Sequence, residues 1–123
     1  MKTRLSIFAA FTLLAFAPRA AEAPLPLSVL YVGNSDVRAK DFESFLKQHF
    51  ANVSTAKRIG FDPATAKSVD VVLLDWPQNQ GQEPFPPKSC PLGPRETWSK
   101  PTVLLGSAGL HVACVWEVKG GAG

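Results

Sequence analysis

Three side chains that together can carry a nucleophilic reaction lie in the second half of the chain. Asp75 ends an apolar run, Ser107 lies in a glycine-rich turn, and His111 follows that turn. In many hydrolases a histidine takes the proton of an attacking hydroxyl, and an acid orients the histidine. The three residues therefore raise the hypothesis of a hydrolase that acts on sugar-like or small carbonyl substrates.

The element that would position Asp75 is the apolar run at residues 69–75, which is rich in β-branched side chains. It is too short for a typical helix and has no polar face, so it predicts a strand covered on both sides. Strands of this kind occur in parallel sheets with helices above and below. An acid at the carboxyl end of such a strand lies where open α/β sheets bind ligands.

The same periodicities predict the remaining elements. In chain order they are a strand at 27–32, a helix at 41–50, a strand at 51–55, a short helix capped by Asp62, the strand just described, a strand at 101–105 and a helix at 110–116. Alternating apolar residues at 112–118 also fit a strand, which leaves the last helix open. Right-handed crossovers then give a flavodoxin-like parallel sheet of order 2-1-3-4.

A long proline-rich connection occupies residues 76–100. Its proline density excludes regular elements, and a loop of this length in a small domain is usually functional or disordered. Four strands in about 100 residues bury little core. We therefore expect a three-layer α/β domain that is either incomplete, with a missing C-terminal half, or dependent on a partner such as a second copy.

Residues 1–23 have the pattern of an export signal. Lys2 and Arg4 give a positive start, residues 5–17 form an apolar core, and small residues precede Pro24. The apolar core suits a secretory signal and is short for a membrane span. We expect residues 24–123 to form a secreted or periplasmic domain with no membrane span once the signal is removed. A retained N-terminal anchor is the alternative.

The charge of the chain bears on its partners. Lys and Arg number 13 against 10 Asp and Glu, and much of the excess lies in the predicted signal. No basic cluster with interleaved aromatic residues occurs, so we expect no nucleic-acid binding. The basic pair Lys57–Arg58 is expected to be solvated in a loop. No motif implies a metal or a cofactor, and a small-molecule ligand is the expected partner.

Two cysteines, Cys90 and Cys114, form the disulfide candidate of the chain. In an oxidising compartment they would close a loop of about two dozen residues and contribute roughly 3 kcal/mol. The alternative is two separate thiols, one of them buried. Spacing cannot decide between the two, because a disulfide needs Cα atoms within about 7 Å.

Several segments together resemble a known family. They are the first strand with its Leu30-Tyr31-Val32-Gly33 end, the Asp41–Phe50 segment, the run from Asp70 to Pro77, Lys100-Pro101-Thr102-Val103, and the Gly106-Ser107-Ala108-Gly109 turn. These segments resemble the class I glutamine amidotransferase-like superfamily, and within it the exported, trehalose-utilisation-like branch. The resemblance covers most of the chain after the signal and implies a flavodoxin-like fold.

In catalytic members of that superfamily, a Gly-x-Cys-x-Gly elbow exposes a thiolate over the strand ends, and helix-terminal amides stabilise the developing charge. The matching position here is Ala108, whose methyl group cannot attack a carbonyl, and Cys114 lies beyond a helical turn. The resemblance therefore implies a non-catalytic binding or accessory module with an oxyanion-type pocket. Its candidate ligand-binding residues are Gly33, Asn34, Asp75, Trp76, Gly106, Ser107, Ala108 and Gly109.

Two other interpretations remain. The central strand also resembles the phospho-acceptor strand of response-regulator receiver domains, with Asp75 as acceptor. Receivers place a pair of acids after the first strand to hold Mg²⁺, where this chain has Gly33-Asn34-Ser35. Outside that interpretation, Asp75 is expected to be a strand-end residue that accepts hydrogen bonds from nearby loop amides. The last alternative is a truncated gene product with no activity of its own.

Overall fold

The computed structural model describes residues 22–77 and 83–118, and it has one four-stranded sheet in that part of the chain. All strand pairs are parallel, and the strand order is β2-β1-β3-β4. The α/β class, the layers and the predicted order are thereby confirmed. The predicted signal lies outside the described residues except for Glu22 and Ala23.

The strands and helices have the following bounds, in chain order: β1 Leu25–Gly33, α1 Asp36–Leu46, β2 Phe50–Lys57, β3 Val71–Trp76, β4 Thr102–Gly106 and α2 Ala108–Val115. The described part of the chain also has 3₁₀ turns at Pro63–Ser68 and Arg95–Thr97. The first is the predicted short helix, and the Asp62 side chain caps it by accepting a hydrogen bond from the Ala64 amide at 2.9 Å. The open alternative for residues 112–118 is also decided, because Val112 to Val115 are helical.

The first helix begins five residues earlier and ends four residues earlier than the apolar spacing predicted, since it spans Asp36–Leu46 rather than 41–50. Ser35 has an extended backbone and its hydroxyl accepts a hydrogen bond from the Arg38 amide, so the helix begins at Asp36. Such side-chain caps satisfy amides that have no partner within the helix. Phe50, which the prediction placed on the apolar helix face, instead opens β2 and pairs with Leu25. The prediction of a helix over residues 41–50 is therefore wrong at both ends.

The two faces of the sheet are covered by different elements. On one face α1 packs over β1 and β2, and the rings of Tyr31 and Phe42 stack with centroids 4.9 Å apart. The other face is the main core, formed by Leu30, Val32, Ala66, Val72, Leu74, Trp76, Cys90, Leu92, Ala108 and Val112. Strand residues alternate between faces, so Asp75 and Trp76 point to opposite sides although they are neighbours in sequence.

The long connection between β3 and β4 folds back onto the core where it is described. Its residues Cys90 and Leu92 are buried in the core, and the Trp116 indole donates a hydrogen bond to the Gly93 carbonyl at 2.9 Å. Cys114 lies exposed on α2. The two cysteines are therefore separate thiols and the candidate disulfide is not formed, because one thiol packs inward and the other faces outward. Burial raises the pKa of the Cys90 thiol.

Gly106 closes β4 in a conformation that favours glycine. Its φ is +65°, and a Cβ built there would lie 2.6 Å from the Trp76 carbonyl oxygen. The same carbonyl accepts hydrogen bonds from the Ser107 amide at 2.7 Å and the Ser107 hydroxyl at 2.8 Å. A side chain at Gly106 would therefore push against the backbone of Trp76 and Pro77 at the end of β3.

We expect Gly106→Ala to lower the free energy of unfolding by about 3 kcal/mol, as the sum of a positive-φ penalty and a backbone clash. Gly60→Ala is the matched control, because Gly60 has φ +75° but nothing within 4 Å of its added Cβ in the described part of the chain. The control should cost about 1 kcal/mol. Urea unfolding measures both, and equal losses would contradict the close approach at Gly106.

Candidate functional site

The carboxylate of Asp75 joins three elements on the α1 side of the sheet. Its Oδ2 accepts hydrogen bonds from the Tyr31 hydroxyl of β1 and from Arg38 Nε of α1, the latter at 2.8 Å. Its Oδ1 accepts a hydrogen bond from Arg38 Nη2 at 2.9 Å. Both oxygens are therefore used, in the two-pronged arrangement that arginine makes with carboxylates. We call Tyr31, Arg38 and Asp75 the carboxylate clamp.

The clamp is buried at its centre and open at one end. Asp75 is 1% exposed and Tyr31 is 0% exposed, whereas the Arg38 side chain is 44% exposed. Burial raises the pKa of Tyr31, and the hydrogen bond and charge of Asp75 raise it further. The expected hydrogen bonds from loop amides to Asp75 are replaced by two side chains. A phospho-acceptor must be reachable by its phosphate donor, so this burial argues against a receiver.

A second cluster surrounds Trp76 on the opposite side of the sheet. The ring of His111 stacks on the Trp76 ring at 4.0 Å and 11°, and Phe85 meets His111 edge-on at 5.5 Å. The Arg58 guanidinium carbon lies 3.8 Å from the Trp76 ring centroid. Glu83 accepts hydrogen bonds from Arg58 Nη2 and, at 2.8 Å, from the Trp76 indole. We call these five residues the tryptophan cluster.

The burial of Arg58 contradicts the prediction that the basic pair Lys57–Arg58 is solvated. Lys57 is exposed, but the Arg58 side chain is only 4% exposed, because the end of β2 turns it over the Trp76 ring. Its Nε is buried and has no hydrogen-bond partner among the described residues. Burial alone would raise the pKa of Glu83, but the hydrogen bond and charge of Arg58 outweigh it and lower that pKa.

The three residues of the hydrolase hypothesis have other partners. The Ser107 hydroxyl donates to the Trp76 carbonyl, and His111 Nδ1 lies 2.8 Å from the Ser107 carbonyl oxygen. Asp75 is engaged in the clamp on the opposite face of the sheet. No hydrogen bond within the described ranges joins one of these three side chains to another, so the relay that a hydrolase needs is not assembled.

The remaining predicted ligand-binding residues lie along the carboxyl end of the sheet. Gly33 is buried, and a Cβ there would lie 2.8 Å from the Tyr31 hydroxyl. Asn34 accepts hydrogen bonds through Oδ1 from the Ile59 amide and through its carbonyl from Lys57 Nζ. The Ala108 methyl group is fully buried in the core. Gly33 therefore leaves room for the Tyr31 side chain, and Asn34 is bonded to residues that end and follow β2. The matching elbow position, Ala108, faces inward.

An open cavity of about 400 Å³ lies beside the tryptophan cluster. Phe61, Pro63 and Pro91 supply apolar wall, and Arg58, Trp76 and Ser89 also line it. Sequence reasoning missed this site because Arg58 was assigned to a solvated loop. No local pattern indicated the burial of Arg58, because Arg58 follows the end of β2 at Lys57 and is buried by its contact with the distant Trp76 ring.

Within the described ranges, no helix is long and apolar enough to cross a membrane. The same ranges hold no group of three or more histidine, cysteine, aspartate or glutamate side chains arranged to bind a metal.

Comparison of the chain with protein-family models, curated proteins and solved structures gave no match. The amidotransferase-like resemblance therefore stays a prediction from the sequence motifs.

We expect Asp75→Asn to destabilise the fold by about 2 kcal/mol, below the roughly 3–5 kcal/mol of a fully buried pair, because Arg38 can reach water. The loss arises because the amide nitrogen offers Arg38 a donor where an acceptor is needed. Asp41→Asn is the control, since Asp41 is exposed on α1. Urea unfolding of both variants is the measurement. If Asp75→Asn destabilises the fold no more than Asp41→Asn does, the clamp does not contribute to stability.

Proposed function

We propose that the chain is an exported, non-catalytic ligand-binding domain of the amidotransferase-like type. The observation that carries the non-catalytic part is the turn after β4. Its elbow position is a buried alanine, and the neighbouring Ser107 hydroxyl is held by the Trp76 carbonyl. A nucleophile needs a free, activated oxygen or sulfur within reach of a base. The turn supplies neither.

The cavity beside the tryptophan cluster supports the binding part of the proposal. Ligand sites combine apolar walls with a few polar groups that fix orientation. Here Phe61, Pro63 and Pro91 give the walls, and Arg58 and Ser89 give the polar groups. The volume of about 400 Å³ suits a small organic molecule.

The hydrogen-bonding groups of Arg58 limit the class of ligand that fits this cavity. A guanidinium has five N–H donors, and the side chain of Arg58 makes one hydrogen bond with the described residues, to Glu83. Glu83 already balances its charge, so a ligand oxygen need not bring a negative charge. A buried donor without an acceptor is unfavourable. The proposed ligand is therefore a small apolar molecule with a carbonyl oxygen, bound with that oxygen toward Arg58.

Titration with benzamide, followed by the ¹⁵N-detected Nε–H signal of Arg58 and the indole N–H signal of Trp76, tests the proposal. Saturable shifts of both signals are expected for the unmodified chain. Arg58→Lys keeps the charge but loses the planar donor set, and it should abolish the shift at Trp76. Arg95→Lys is the control, because Arg95 is exposed in the loop and should leave binding unchanged. Absence of any saturable shift would contradict this site.

The non-catalytic part has its own readout. Release of ammonia from glutamine and hydrolysis of a nitrophenyl ester should stay at the buffer rate for the unmodified chain. Ser107→Ala and Cys114→Ala should give the same rate. Ester hydrolysis above the buffer rate that disappears in Ser107→Ala would establish the hydrolase instead. Ammonia release that disappears in Cys114→Ala would establish thiol-dependent amidase activity.

A further inference from the structure

The outer strand β4 leaves one edge of the sheet open. Among the described residues β4 pairs with β3 alone. Val103 is 47% exposed and Leu104 is 41% exposed, and Leu110 at the start of α2 is 57% exposed. An apolar edge strand with unpaired backbone groups is a template for pairing with another strand. This surface is independent of the tryptophan cluster and of the proposed ligand.

Exposure rises steadily toward this edge along one row of paired residues. Tyr31 of β1 pairs in register with Leu73 of β3, and Leu73 pairs with Val103 of β4. Tyr31 is fully buried, Leu73 is half-buried and Val103 is exposed. Helix α1 packs over β1 and β2, so it covers the half of this face away from β4, where Val103 is exposed. Strands of parallel sheets are normally buried on both faces.

On the side of β4 away from β3, the backbone groups have no strand partner within residues 22–77 and 83–118. The Pro101 carbonyl and the Ser107 amide both bond to β3. Because alternate residues of a strand direct their backbone groups to the same neighbour, Val103 and Leu105 also face β3. The N–H and C=O groups of Thr102 and Leu104 therefore face the open side. A partner strand would find both donors and acceptors there.

The opposite edge of the sheet is built differently. Strand β2 carries exposed polar side chains at Asn52, Ser54 and Thr55, and Lys57 ends it. Charged and polar side chains are the usual protection of edge strands. Strand β4 has one polar side chain, Thr102, and residues 101–116 contain no aspartate, glutamate, lysine or arginine.

We propose that a second copy of this chain pairs its β4 antiparallel to β4 of the first, around a two-fold axis close to Leu104. In such a contact each residue near the axis meets its own copy. A charge there would face a like charge, and the uncharged stretch 101–116 meets this condition. The pairing joins two four-stranded sheets into one of eight strands and covers Val103 and Leu104.

The test is the molar mass in solution of the product purified after expression of the full chain. Sedimentation or light scattering should give twice the monomer mass, with the dimer fraction rising with concentration. Leu104→Lys should abolish the dimer, because two lysines meet at the axis. Thr55→Lys, on the opposite edge, should leave it intact. Circular dichroism of both variants confirms that each remains folded, since residue 104 is accessible enough for a lysine to reach water.

Amide hydrogen exchange of the unmodified chain gives a second readout that needs no variant. The Leu104 amide should be protected more strongly at high than at low protein concentration, whereas the Val103 amide, bonded to β3, should not change. A monomer at about 1 mM, where even weak contacts form, would overturn the proposal. A dimer of normal affinity in Leu104→Lys, or one lost in Thr55→Lys, would place the contact elsewhere and also overturn it.

Discussion

One buried carboxylate determines how the helix, the central strand and the first strand meet. Asp75 receives hydrogen bonds from Tyr31 of β1 and Arg38 of α1, and both of its oxygens are used. Removing one partner of such a group leaves an unpaired charge or donor in the interior, which is far more costly than the net gain from forming the contact. The clamp therefore favours a single position of α1 on the sheet, with Trp76 facing the opposite side.

Much of the fold follows from local patterns. The apolar run before Asp75 predicted a buried parallel strand, and Asp62 with Pro63 predicted a short helix. Both features depend on a few adjacent residues, so a local pattern is enough to predict them. The first helix was misplaced because apolar spacing alone counted Phe50 as helical. The pairing of Phe50 with Leu25 is a contact between distant segments, and no local pattern contains it.

The candidate site was harder to predict for the same physical reason. Tyr31 and Arg38 lie 44 and 37 positions before Asp75, so their meeting depends on strand order and register. In the structure Tyr31 pairs with Leu73, two residues before Asp75, and therefore points to the same face as Asp75. Arg58 gave no local signal, because it follows the end of β2 and is buried by contacts with Trp76 and Glu83.

The most direct test of the clamp is the alkaline titration of Tyr31, the one tyrosine in the chain. Its pKa is raised in the folded state, so the contribution of Tyr31 to stability is complete below the unfolded value of about 10 and is lost as the pH rises above it. Tyrosinate absorbance should therefore appear only together with the unfolding seen by circular dichroism, and Tyr31→Phe should abolish it. A folded protein that forms tyrosinate near pH 10 would contradict the clamp.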